Sequence, residues 1–187
     1  HGGITLSAEA VGRSGESFEW NVPTSGLERG DHYVVGGGSR TPLRMRQRTI
    51  RADVALPALD LSVDAIRSFE GVTVTRTPVP TVGGLPYEPS AGSPPLRAYT
   101  VSLRKEDGTA IVSVVLPGWL GAEATFVVAT PSDVEGWHRR FDFGAGIAAS
   151  WMVAATLSDR PASIGRMDRT VEETEVHQVG VSGTLEP

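Results

Sequence analysis

Apolar and polar residues alternate along most of this chain. ITLSAEA (4–10) sets Ile4, Leu6 and Ala8 against Thr5, Ser7 and Glu9, SFEWNV (17–22) places Phe18, Trp20 and Val22 on one face, and RAYTVSLR (97–104) does the same with Tyr99, Val101 and Leu103. A period of two is the mark of a half-buried strand. KEDGT follows, with Asp107-Gly108 as a hairpin turn, and AIVSVVL (110–116) is the returning strand. ATFVVAT (124–130) and IAASWMVAATL (147–157) are apolar on both faces, as central strands of a packed sandwich are, and VEETEVHQVGVSGTL (171–185) predicts a long closing strand.

Helical spacing is rare. DLSVDAIRSFEG (60–71) spaces Val63, Ile66 and Phe69 for one helix ending at Gly71, and SDVEGWHRRF (132–141) has Ser132 and Glu135 at capping-box spacing for one or two turns. Neither is long enough to cover a parallel sheet. Residues 78–95, PVPTVGGLPYEPSAGSPP, carry six prolines and three glycines and predict a long irregular loop of the kind that is functional or mobile. The pattern predicts an all-β fold: an antiparallel β-sandwich or barrel, jelly-roll-like, of about ten strands with one or two short helices. Residues 1–187 are expected to form a single β domain carrying the 78–95 loop.

The 187 residues are enough to bury a core without staples, and the absence of cysteine excludes disulfides, thiol nucleophiles and thiolate metal sites. No run approaches the length of a membrane-spanning helix and no signal peptide is visible. Net charge is −5, so any nucleic-acid role needs a local patch. Sixteen arginines to one lysine, with Asn21 the lone asparagine, match the bias of a GC-rich coding sequence.

Catalytic signatures are missing. GVSGT (180–184) and GRSGE (12–16) lack the spacing of a nucleophile elbow, and VVGGGSR (34–40) precedes no helix, so it fails as a dinucleotide loop. Asp31, Asp53, Asp133, Glu135, Asp142 and Asp168 offer no pair that spacing selects for acid–base work. The four histidines form no local chelate. His1 is the weak metal candidate. As a processed terminus, its amine and imidazole could hold copper, as the histidine brace of lytic polysaccharide monooxygenases does, but no motif surrounds a second histidine. No cofactor is expected. RGD at Arg29–Asp31 is an integrin-binding signal when displayed on an exposed loop, and it also arises by chance in such a composition, which is the expected origin here. Trp119, in the turn LPGWLG, and Tyr87, in PYEP, are the candidate surface aromatic contacts for a sugar or protein ligand.

One basic feature stands out. Arg40, Arg44, Arg46, Arg48 and Arg51 fall within twelve positions. On a strand over 43–56, Arg44, Arg46 and Arg48 share the face continued by Ile50, Ala52, Val54 and Leu56. Either the strand runs past the core or a bulge near Thr49 flips its register, and both place the arginines at a rim or surface. Their expected partners are the acids of DRTVEETE (168–175), namely Glu172, Glu173 and Glu175, within one chain first, between subunits second, with phosphate or nucleic acid third. The function these features predict is a non-enzymatic structural or assembly protein, with self-association or other subunits as partners. A virus or phage particle subunit, capsid or tail, is the first expectation, located in the virion. A secreted binding module for carbohydrate or protein comes second, and a copper protein built on His1 third.

Overall fold

A computed structural model describes residues 33–52, 61–76, 79–120, 124–128, 135, 138–143, 146–160 and 174–187. Among them the chain is all-β and sandwich-like, with nine strands in two antiparallel sheets. The larger sheet holds β1 (Tyr33–Arg40), β2 (Arg44–Ala52), β5 (Leu96–Lys105), β6 (Ala110–Val115), β8 (Ala149–Ser158) and β9 (Thr174–Leu185), in the order β1-β2-β9-β8-β5-β6. The smaller holds β3 (Thr73–Thr75), β4 (Thr81–Gly83) and β7 (Phe126–Val127), in the order β3-β4-β7.

Alternation decides which side of the large sheet is buried. Tyr99, Val101 and Leu103 of β5, Val153, Ala155 and Leu157 of β8, Val115 of β6 and Val179 of β9 face inward and are almost fully buried. Val82, Leu85, Val128 and Phe143 join the same core, with Val63, Ile66 and Phe69. Each such aliphatic or aromatic side chain contributes roughly 1.5–3 kcal/mol by leaving water. The Asp107-Gly108 turn forms as its sequence predicts. Thr109 N–H donates to Asp107 Oδ1 at 2.8 Å, and Gly108 takes a left-handed φ of +86°.

Several expectations are corrected. Residues 61–69 form turns rather than a helix, although Val63, Ile66 and Phe69 are all buried. The segment dips repeatedly into the core and fixes itself by other bonds, such as Ile66 N–H to Val63 C=O at 3.1 Å. The second predicted helix survives among the described residues as a 3-10 turn, Arg139–Phe141. Gly36, Gly37 and Gly38 lie inside β1, an edge of the sheet among the described residues.

The proline-rich stretch also differs from a free loop. It contributes β4, and its Pro80, Val82, Leu85 and Tyr87 are buried. Tyr87 is therefore a core residue, not a surface contact. Its ring meets Phe69 edge-on at 5.2 Å, and its hydroxyl donates to Arg67 C=O at 2.7 Å. Its backbone N–H donates to the Tyr99 hydroxyl at 3.0 Å, so the stretch is pinned to β5.

Candidate functional site

The arginine strand is β2, and its pairing with β9 is unbroken from Arg44 opposite Val179 to Thr49 opposite Thr174. No bulge interrupts it near Thr49. The register shift of the sheet lies instead at Arg97, between Leu96 and Ala98 of β5. Arg97 spans that irregularity by donating to Ser158 C=O at 2.8 Å and Asp159 C=O at 3.1 Å.

Register decides where the guanidinium groups go. Arg44, Arg46 and Arg48 lie opposite Val179, His177 and Glu175, and Val179 and His177 are buried. The arginine face is thus the inner face of the sheet. The expectation that it forms a rim or surface row is corrected for Arg46, whose side chain keeps only 13% of its exposure. The covering comes from residues 62–68. Arg46 Nη1 donates to Ser62 C=O at 3.3 Å and Arg44 Nη2 to Ser68 Oγ at 2.5 Å.

Glu175 is the hub of this cluster. Its Oε1 accepts from Arg46 Nε at 3.0 Å and from His177 Nε2 at 2.8 Å, with Arg46 Nη2 at 2.9 Å. Arg48 Nε approaches Oε2 at 3.7 Å. Burial pushes the Glu175 carboxyl upward, but the hydrogen bonds from His177 and Arg46 and their charges outweigh it and hold its pKa below the ordinary value. Because the carboxylate only accepts, Nε2 of His177 carries the shared proton. Its Nδ1 is then buried with no hydrogen-bond partner among the described residues.

A carboxylate orienting an imidazole is half of a general-base device, but such a base must reach the proton it abstracts. Here the second nitrogen is sealed inside the sheet, so the arrangement is a structural tie between β2 and β9.

The remaining candidates separate. Arg40 is exposed at the end of β1, and Arg51 lies opposite Val34 on β2. Glu172, Glu173, His1 and the Arg29–Asp31 tripeptide lie outside the described residues. Among the described residues no group of three or more His, Cys, Asp or Glu side chains is placed to hold a metal. Nor is any helix there long and apolar enough to cross a membrane. His177 is the residue that sequence reasoning passed over. Its shared parity with Glu175 was the available signal.

A second region presents side chains outward. Among the described residues β6 is an edge of the large sheet, and Val112 (63% exposed) and Val114 (38%) project from its outer face, followed by Leu116 (38%). The 3-10 turn Pro117–Trp119, closed by Trp119 N–H to Leu116 C=O at 2.9 Å, then displays Trp119 at 70% exposure. No charged residue occurs between Asp107 and Glu123. Single exposed apolar residues are ordinary, but these four fall within eight positions of a segment without charge.

The chain matches no family model, and no curated protein or solved structure resembles it at a significant level.

Proposed function

We propose that this chain is a non-enzymatic assembly subunit, and that its setting is a virus or phage particle. The observation that carries the assembly reading is the β6 edge, where Val112, Val114, Leu116 and Trp119 are exposed together. Natural sheets blunt their edges with charge, proline or bulges, and β6 has none of these between Ala110 and Val115. The particle setting is an analogy of architecture: antiparallel double-sheet folds of this kind build viral shells. Sedimentation velocity over a wide concentration range tests the assembly reading. Mass above the monomer that grows with concentration is the expected result, and a monomer throughout overturns it. Ordered shells or tubes in negative-stain micrographs are the result expected of a particle subunit.

A second reading is a binding module for carbohydrate or protein, favoured by the exposed indole of Trp119. Glycan-array binding lost in Trp119→Ala, by a protein that stays monomeric, would select it.

A further inference from the structure

We infer that the open edge of β6 receives a second copy of this chain, paired antiparallel across a two-fold axis at Ser113. The inference rests on the assembly reading and names its partner and register.

Backbone alternation limits how anything can dock there. Lys105 N–H donates to Thr109 C=O at 2.9 Å, closing the β5–β6 hairpin. Hydrogen-bonded and non-bonded pairs alternate along an antiparallel ladder. Ile111, Ser113 and Val115, opposite Leu103, Val101 and Tyr99, therefore bond toward β5. Ala110, Val112 and Val114 turn their N–H and C=O groups to the open side, where no described strand pairs with them.

Two identical antiparallel strands must match those outward residues with one another. An axis at Ser113 sets Val112 against Val114 and Val114 against Val112, with Ala110 against Leu116 at both ends. Every exposed aliphatic of the strip then has an apolar neighbour on the same face, and the contact is isologous, as a closed dimer requires. An axis at Val112 would leave Leu116 opposite Gly108.

Charge also selects a copy of the chain over a charged partner. The protein carries −5 overall, so two molecules repel at long range, and only a neutral strip lets them close. The strip between Asp107 and Glu123 is such a place, and it offers an acidic or basic partner nothing to pair with. The opposite edge, β1, is less suited: Gly36, Gly37 and Gly38 present no side chains and Arg40 is exposed at its end.

The chain has no cysteine, so one introduced thiol reports the axis directly. In the inferred register Ser113 faces Ser113 of the other copy as a non-hydrogen-bonded pair. The Cα atoms of such a pair lie about 4.5 Å apart, within disulfide range. Mild oxidation of Ser113→Cys should give a covalent dimer on a non-reducing gel. Ser182→Cys, exposed on the outer face of β9, should not. Val114→Lys should weaken self-association at least tenfold while leaving in place the urea unfolding curve measured at concentrations where both proteins are monomeric, since its side chain points outward. If the wild type self-associates but Ser113→Cys fails to cross-link, or Val114→Lys associates normally, the edge and register are wrong and the assembly reading stands. If the wild type is monomeric throughout, the assembly reading falls and takes the inference with it.

Discussion

Arg46 and Glu175 are not register partners, yet among the described residues they form a closer ion pair than Arg48 and Glu175 do. Arg46 lies opposite His177 on β9, and its guanidinium crosses diagonally to Glu175 Oε1, with Nε at 3.0 Å and Nη2 at 2.9 Å. His177 bonds the same oxygen through Nε2 at 2.8 Å. One carboxylate therefore joins two strands and three cationic or polar partners.

Removing one member of this tie leaves the others partly buried and short of charge. The Glu175 side chain keeps 24% of its exposure, so the full cost of orphaning a buried ion does not apply. Arg46→Met should cost about 1–3 kcal/mol in urea unfolding. Glu175→Gln, which can still accept a hydrogen bond, should cost less. The Arg46→Glu, Glu175→Arg double reversal should recover only part of the single-reversal loss, because an arginine at 175 would face Arg48 and His177. Full recovery would show that the pair acts alone.

Acid should dissolve the same tie. The folded-state pKa of Glu175 is depressed, so its contribution is present above the ordinary glutamate value and is lost as pH falls through the folded one. The stability gap between wild type and Glu175→Gln is therefore read in acid. It should narrow as pH drops through about 4.3 and below. Urea midpoints across that range check it, and a gap that widens in acid would mean the sign of the shift is reversed.

Much of this architecture was legible in the sequence because it follows from alternation. The Asp107-Gly108 hairpin, the β5 inner face of Tyr99, Val101 and Leu103, and the long closing strand all come from period two and turn chemistry. What failed were features that depend on the other side of the core. Val63, Ile66 and Phe69 are spaced alike whether a helix or a meandering segment presents them. Tyr87 looked exposed because prolines surround it, and only the position of Phe69 and Tyr99 shows it buried. The parity of Arg44, Arg46 and Arg48 was readable, but the Ser62–Ser68 cover that makes their face an inner one was not. It comes from tertiary packing, which period-two patterning does not encode.

Two glycines with similar backbone angles should respond differently to alanine. Gly84 has φ +72° and an added Cβ would sit 2.1 Å from Gly71 O, while Gly92 has φ +80° and nothing within 4 Å. Gly92→Ala meets only the left-handed penalty, about 1–2 kcal/mol. Gly84→Ala adds a backbone collision that no rotamer can relieve, and should cost more than about 3 kcal/mol or prevent folding. Thermal unfolding of the two variants side by side makes the comparison. Equal losses would place the chain at Gly71 further from Gly84 than the structure has it.

The pair Trp151 and Gly183 ties packing to register. They are opposite one another on β8 and β9, and the indole lies over the glycine so closely that a Cβ there would approach Trp151 ring atoms at 2.6–2.9 Å. The large ring covers the gap a residue without a side chain leaves in a strand, which explains a glycine inside the otherwise continuous β9. Gly183→Ala should therefore destabilise by about 1–3 kcal/mol by forcing the ring aside. In a Trp151→Ala background the obstacle is gone, and the same substitution should be neutral or stabilising, since alanine loses less backbone entropy than glycine. Contacting residues are expected to be non-additive, so the double-mutant cycle is the decisive measurement. A coupling near zero would mean that Gly183 is required by the backbone of β9 and not by the indole above it.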